Sequence, residues 1–175
     1  RLTAERGDVV LTGRTPLYKN DNNRSRLLPP TVKIVAREDI HLKSRFTIAP
    51  SLSGDLYMEA VAGDITGQFR SAAQQEGEFS RAGILVSDAD PVTFYGDQTE
   101  VLAGLELVDP AEYLGRLTSP YEHAGQPTHR QDSVPVEIKA HHDISNILFY
   151  LAEQARISAG NDIRDIYVLG QNVTP

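Results

Sequence analysis

Short blocks of alternating apolar and polar residues recur along the chain and share one pattern. The block Val136–Ile144, VEIKAHHDI, aligns with Ala155–Ile163, ARISAGNDI, at an offset of 19 residues. The same order of apolar residues, an Ala and an Asp-Ile pair is found in Val32–Ile40, and in Leu56–Ile65 with one additional residue. Leu2–Val9 is a shortened copy. A repeat of this length is typical of a solenoid, whose units bury their apolar faces against one another.

Each position of the repeat has a structural interpretation. In a strand, alternate residues point to the same face, so Val32, Ile34 and Ala36 are predicted to point inward. Ala is small enough for a tight inner corner, and Asp39 is expected to accept hydrogen bonds from backbone N–H groups in its own turn. Ile40 then begins a second inward-facing strand. Strand, corner and strand together predict one rung of a parallel β-helix, in an all-β solenoid, and the Asp residues are predicted to be architectural.

The repeated Ala-x-x-Asp-Ile units resemble those of the filamentous-haemagglutinin-like exoproteins, which are β-helical passengers of two-partner secretion. The resemblance is carried by Ala159–Ile163, AGNDI, and by Ala62–Ile65, AGDI. The family's usual motif is degraded to AREDI at 36–40 and to AHHDI at 140–144. The resemblance implies a parallel β-helix that is exported by an outer-membrane transporter.

The same resemblance implies a non-enzymatic role as a structural or adhesive segment of a secreted, cell-surface exoprotein. Its partners would be the transporter during export and a host-cell surface or glycan afterwards. Two alternatives stay open at this point. The segment could be the stalk of a contact-dependent toxin that carries a distant effector domain, or it could be a carbohydrate-active β-helix enzyme.

The pattern predicts a single β-helix segment over residues 1–175, as part of a longer chain. Strands are predicted within the second and third copies at 32–36, 39–43, 45–48 and 55–60. Polar or weakly patterned stretches predict loops at 14–30, 66–81 and 95–133. The last of these contains a helix start signal at Asp109-Pro110 and is predicted to be an insertion packed on the solenoid.

Two segments are harder to assign. Residues 82–94 return to strand-like alternation, with Ser87 where the repeat would have Ala, and are predicted to be a decayed rung. Between Asp143 and Gly160 the apolar residues also recur at helical spacing, so an amphipathic helix competes with strands at 147–150 and 155–158. The flanking copies of the repeat favour the strands.

Composition and charge narrow the possible partners. The chain has 175 residues and 40% hydrophobic residues, which suits one folded domain. It contains no Cys, which excludes disulfides, thiolate metal sites and Cys nucleophiles. The formal charge of −7 argues against nucleic acid and anionic membranes as partners, because both favour a basic surface. No apolar run is long enough to insert in a membrane.

The positions of the histidines in the sequence do not indicate a metal site. His141 and His142 are adjacent, and adjacent residues of a strand point to opposite faces, so we do not expect them to chelate one ion together. The remaining histidines lie in separate segments of the sequence, at His41, His123 and His129.

Asp88 and Asp90 are the other candidate residues for a catalytic or metal-binding site. Asp88 and Asp90 would share one face of an extended segment, as the acidic residues of polysaccharide-degrading β-helices do, but no third partner is identifiable. Asn172 begins a short glycosylation sequon that carries little weight alone. No catalytic, cofactor-binding or metal-binding residue is therefore predicted, and the chain is expected not to be an enzyme.

Overall fold

The computed structural model describes residues 1–12, 25–68, 82–88 and 128–170, with only the backbone for 25–27. These residues form parallel β-strands and turns, and none of them is helical. The strands are β1 (Leu2–Ala4), β2 (Val9–Leu11), β3 (Ser25–Leu28), β4 (Val32–Ala36), β5 (Ile40–Leu42), β6 (Arg45–Ile48), β7 (Leu56–Ala60), β8 (Ile65–Gly67), β9 (Gly83–Val86), β10 (Val136–Ala140), β11 (Ile144–Ser145), β12 (Leu148–Leu151), β13 (Ala155–Ala159), β14 (Ile163–Arg164) and β15 (Tyr167–Gly170).

The strands pair into three five-stranded sheets, and the chain adds one strand to each sheet in turn. The first sheet has the order β1-β4-β7-β10-β13, the second β2-β5-β8-β11-β14, and the third β3-β6-β9-β12-β15. Every pairing between these strands is parallel. We call each set of three consecutive strands a triplet, so that β4, β5 and β6 form the second triplet.

The sequence repeat sets the register of the first two sheets. Val136 lies beside Ala155, so the predicted offset of 19 residues between these copies is confirmed. The repeated Ala occupies one row of the first sheet, comprising Ala4, Ala36, Ala60, Ala140 and Ala159. The Ile or Val that follows each Asp occupies one row of the second sheet, comprising Val9, Ile40, Ile65, Ile144 and Ile163.

The apolar core lies between the three sheets. Ile34, Met58 and Ile138 of the first sheet are fully buried, as are Ile40 and Ile65 of the second. Each such side chain contributes roughly 1.5 to 3 kcal/mol when it is removed from water. The alternation in β4, β7 and β10, where every second residue is buried, confirms the predicted inward and outward faces of this sheet.

The third sheet is buried along more of its length. All four residues of β9 are buried, as are three of the four in β6 and in β12. Phe149 is among the largest fully buried side chains. Strands that are covered on both faces carry continuous apolar runs rather than alternation, and Gly83-Ile-Leu-Val86 is such a run.

The structure confirms most of the predicted strands. The four predicted in the second and third copies are observed within one residue of their expected ends, as β4, β5, β6 and β7. The segment between Asp143 and Gly160 forms β11, β12 and β13, so the strand interpretation is correct and the helix interpretation is wrong. Pairing with β8, β9 and β10 on one side explains the result, because tertiary contacts outweigh local helical spacing.

Three expectations need correction. The predicted loop at 14–30 contains a strand, β3, which pairs with β6. The predicted loop at 66–81 begins inside β8. Residues 83–86 are not a rung of their own but the third strand of the third triplet, because they pair with β6 and β12. The proposed helix after Asp109 and most of the 95–133 insertion lie outside the described residues.

The insertion's last residues are described. Residues 128–131 form a turn, in which the His129 carbonyl accepts a hydrogen bond from the Asp132 N–H at 3.1 Å. Asp132 Oδ1 accepts a second bond, from the Val134 N–H at 2.9 Å, and the chain then enters β10. No membrane-spanning helix is found in the described part of the chain.

Candidate functional site

The repeated Asp residues form a continuous hydrogen-bonded ladder. In the first four triplets, the Oδ1 atom of the Asp accepts a bond from the backbone N–H of the Asp in the following triplet. The four donor-to-acceptor distances, in order along the stack, are 3.0 Å for Asp39 to Asp8, 2.7 Å for Asp64 to Asp39, 2.9 Å for Asp143 to Asp64 and 3.2 Å for Asp162 to Asp143.

The ladder corrects the expected partner of these carboxylates. We expected each Asp to bond N–H groups within its own turn, whereas the observed bonds link one triplet to the next. Space at this corner is limited: a Cβ atom added to Gly63 would lie 2.1 Å from Asp39 Oδ1. The Gly before Asp64 therefore allows the two corners to approach closely enough for the ladder bond.

An acidic group with one histidine lies at the start of the ladder. His41 Nε2 lies 3.8 Å from both Asp8 Oδ2 and Asp39 Oδ2. The His41 Nδ1 atom is already hydrogen-bonded to Thr66 Oγ1 at 2.7 Å, and both carboxylates accept ladder bonds through Oδ1. This group is partly exposed, and each of its three side chains already makes one hydrogen bond, so the ladder is sufficient to explain its geometry.

The structure places the adjacent histidines differently from the prediction. His141 and His142 follow β10 in a bend, so they do not alternate across a strand, and both are exposed with ring centroids 4.9 Å apart. His142 Nδ1 lies 3.9 Å from Asp64 Oδ1. The reason given for excluding joint chelation is therefore wrong, although no group of three metal-ligating side chains forms around them within the described residues.

The outward face of the first sheet carries a network of charged and aromatic groups. The Lys33 Nζ atom lies 4.2 Å above the Tyr57 ring, and the Tyr57 hydroxyl donates a 2.6 Å bond to Glu59. This bond, followed by desolvation, raises the pKa of Tyr57 to about 12. Lys139 donates a 2.6 Å bond to Glu137, which lowers the pKa of that carboxyl group. These contacts are partly exposed, so they order the surface but contribute little to stability.

A second cluster, which we call the corner cluster, contains several buried polar atoms. It contains His129, Asp132, Glu153 and Asp55. His129 and Asp132 belong to the turn before β10, Glu153 follows β12, and Asp55 immediately precedes β7. All four therefore lie where the chain passes from the third sheet to the first, and they come from segments that are far apart in sequence.

The distances and burial in the corner cluster are unusual for titratable groups. His129 Nδ1 lies 3.5 Å from Glu153 Oε2 and 3.6 Å from Asp132 Oδ2. Both separations exceed an ordinary hydrogen bond. The exposed fractions of the side chains are 1% for His129, 2% for Glu153 and 8% for Asp132.

Six buried side-chain atoms at this corner have no hydrogen-bond partner. One belongs to Thr128, and the others are His129 Nδ1, Asp132 Oδ2, Asp55 Oδ1 and both carboxylate oxygens of Glu153. An unsatisfied buried polar atom costs roughly 1 to 3 kcal/mol, and more when it is charged. Native proteins rarely leave several such atoms together, so their convergence requires an explanation.

The titration behaviour follows from this burial. Desolvation, followed by the charges of Asp132 and Asp55, raises the pKa of Glu153 to about 8. Desolvation and the neighbouring Asp132 also raise the pKa of Asp55, and His129 partly opposes this. Desolvation lowers the pKa of His129 despite the adjacent Asp132. Without a compensating cation, the cluster thus favours a protonated Glu153 and a neutral His129 near neutral pH.

A cleft adjoins the corner cluster. It has a volume of about 590 Å³ and is lined by residues of the turn together with Leu52 and Ser53. Asp132 contributes to both the cleft and the cluster. Among the four cluster residues, Asp132 is therefore the one that borders the cleft.

The sequence did not predict this cluster. His129 was identified only as one histidine among separate segments, while Asp132 and Glu153 were not singled out. The signal that could have indicated it is Glu153, a charged residue directly after the apolar Leu151-Ala152 in an otherwise buried stretch.

Asp88, the described member of the candidate carboxylate pair, is not displayed on an outward surface. Asp88 is buried, with 5% exposure, and its charge contributes to raising the pKa of Tyr150 after desolvation. Asp90, His123 and Asn172 lie outside the described residues.

Comparison of the chain with family models, with curated proteins and with solved structures returned no match. The assignment of a function therefore depends on the geometry described above and on the resemblance of the repeat.

Proposed function

We propose that this chain is a parallel β-helix that serves as a stiff rod segment of a secreted, cell-surface exoprotein and presents loops for attachment. The observation that carries the proposal is the unbroken register of three parallel sheets through five triplets. A chain that adds one strand to each of three sheets in turn winds around a single axis, with its backbone hydrogen bonds parallel to that axis.

The Asp ladder supports a structural role. Its four bonds run in the same direction as the strand pairing and join all five triplets along one corner. Because each triplet is bonded to its neighbours by three strands and one carboxylate, bending the stack requires several bonds to be strained together. This resistance to bending is what a stiff rod requires.

The positions of the longer connections support presentation on the rod's surface. The segments between β2 and β3 and between β8 and β9 both leave where the chain passes from the second sheet to the third. The longest connects β9 to β10, from the third sheet to the first. Connections of this kind are where repeat proteins carry binding residues.

Export and attachment rest on the resemblance of the repeat to filamentous-haemagglutinin-like exoproteins. An outer-membrane transporter would be the partner during export, and a host-cell surface or a glycan afterwards. The toxin-stalk alternative shares the rod but predicts that the chain binds nothing. The carbohydrate-active alternative has less support, since Asp88 is buried rather than displayed on a groove.

Binding of the purified chain to intact host cells and to a glycan panel tests the proposal. The comparison variant has residues 95–127 replaced by a short Gly/Ser linker, which retains the turn at 128–131 and the corner cluster. We expect saturable binding by the parent that is lost in the variant, while both give the same β-rich circular dichroism spectrum. Absence of binding by the parent would contradict the adhesive role and favour the stalk.

A further inference from the structure

We propose that the corner cluster is a binding site for a divalent transition metal of the Zn²⁺ class, with His129, Asp132 and Glu153 as ligands and Asp55 as a fourth candidate. One ligand atom from each of the three residues lies within 4.8 Å of the others. This inference is independent of the adhesive function proposed above.

The distances fit a metal ion better than they fit direct hydrogen bonds. A tetrahedral ion with ligands at about 2.0 to 2.1 Å places those ligands roughly 3.3 Å apart. The observed separations are 3.5 Å between His129 Nδ1 and Glu153 Oε2, and 3.6 Å between His129 Nδ1 and Asp132 Oδ2. Small adjustments of the side chains would therefore complete the coordination.

The unsatisfied atoms supply a second, independent observation. His129 and Glu153 are each at least 98% buried and point their free nitrogen and oxygen atoms at one another. A bound cation would satisfy the Nδ1 atom and several carboxylate oxygens together. It would also compensate the mutual repulsion of three acidic side chains that are desolvated at one corner.

The ligand types indicate which metals suit the site. An imidazole nitrogen with carboxylate oxygens is a ligand set of Zn²⁺, Mn²⁺ or Fe²⁺. Ca²⁺ takes six to eight oxygen ligands, so a site that includes an imidazole should select against it. The ion would tie the turn at 128–131, where the chain returns from its longest connection, to the corner after β12. Its role would thus be to anchor the base of that connection on the stack.

Calorimetric titration of the metal-free whole chain with Zn²⁺, with Ca²⁺ as the comparison ion, tests the site. We expect one Zn²⁺ per chain, no comparable binding of Ca²⁺, and a higher melting temperature with Zn²⁺. Glu153→Gln should weaken Zn²⁺ binding by more than about tenfold. This variant removes a desolvated carboxyl group, so we expect it to fold at least as well as the parent without metal.

His41→Gln is the matched control, because it changes the other group of histidine and carboxylates and should leave Zn²⁺ binding unchanged. No Zn²⁺ binding by the parent, equal binding by the parent and folded Glu153→Gln, or loss of binding in His41→Gln would each overturn the proposal.

X-ray absorption at the zinc edge provides a test that needs no variant. The parent loaded with one equivalent of Zn²⁺ should show one imidazole with oxygen ligands at about 2.0 to 2.2 Å. Two imidazoles, as His141 and His142 would supply, would contradict the assignment.

Discussion

At the level of single residues, the Asp ladder explains why each copy of the repeat has an Asp at this corner. The Asp64 N–H donates to Asp39, and its Oδ1 accepts from Asp143, so one residue connects three triplets. The flanking residues differ between copies, as in AREDI and AHHDI, because they point into solvent at the corner. A hydrogen bond between triplets is thus sufficient to explain the Asp without a catalytic role.

Replacing Asp64 with Ala should lower the free energy of unfolding by about 1 to 2 kcal/mol, because the Asp143 N–H loses its acceptor. Asp64→Asn keeps a side-chain carbonyl oxygen and should cost less. Urea denaturation of the two variants beside the parent measures the difference. Equal stability of Asp64→Ala and the parent would show that the ladder bond contributes nothing.

The raised pKa of Tyr57 predicts that the free energy of unfolding decreases in alkaline solution. Its pKa is raised from 10.0 to about 12 in the folded chain, primarily by the bond to Glu59. The folded state retains the phenol proton more strongly than the unfolded state does. The contribution of Tyr57 to the free energy of unfolding is therefore complete below pH 10 and is lost as the pH rises through 12.

The difference in unfolding free energy between the parent and Tyr57→Phe should therefore shrink between pH 10 and pH 12, as measured by urea denaturation at several pH values. In a Glu59→Gln background the same difference should change less over this interval, because the pKa of Tyr57 then lies closer to its ordinary value. A difference that stays constant across this interval would contradict the proposed bond.

At the scale of strands, the sequence predicted the first two sheets better than the third. In β4, β7 and β10 one face is buried and the other exposed, so alternation identifies the strands and the repeat gives their register. β9 is buried along its whole length, and its run of apolar residues has no alternation to align. This explains why residues 83–86 were predicted as a separate rung.

The strand β3 and the corner cluster were missed for related reasons. Ser25–Leu28 lies beside a polar stretch and two prolines, so its pairing with β6 is set by tertiary structure and has no local signal. The residues of the corner cluster are dispersed in sequence and meet only when the third and fourth triplets stack. A sequence pattern shows which residues are neighbours along the chain, whereas this cluster depends on contacts between residues that are far apart in sequence.

Substitutions of one inward and one outward residue, in two strands that are consecutive in the chain, test the assignment of inward and outward residues. Ile144 in β11 is fully buried, so Ile144→Asp should cost at least about 4 kcal/mol by burying an unpaired charge. Lys139 in β10 is 38% exposed and contacts Glu137, so Lys139→Asp should lower the melting temperature only slightly. Thermal melts that showed equal losses for both variants would mean that the faces are assigned wrongly.

All five triplets belong to one continuous stack. The outward residues Thr3, Val35, Glu59, Lys139 and Ser158 occupy successive places in one row of the first sheet. This row joins residues from nearly the whole length of the chain, and the Asp ladder runs beside it. The proposed rod, the proposed presentation of its connections and the geometry of the corner cluster all depend on this order of triplets.

Spin-label distance measurement between Thr3→Cys and Ser158→Cys tests this stack most directly, since the chain has no native Cys. Four strand spacings separate the two positions, which predicts a Cα separation of about 19 Å. Val35→Cys paired with Ser158→Cys should give a separation about 5 Å shorter. We predict narrow distance distributions that differ by this one spacing. Broad distributions, or a Thr3-to-Ser158 distance far beyond the length of the label linkers plus 19 Å, would contradict the stacked arrangement.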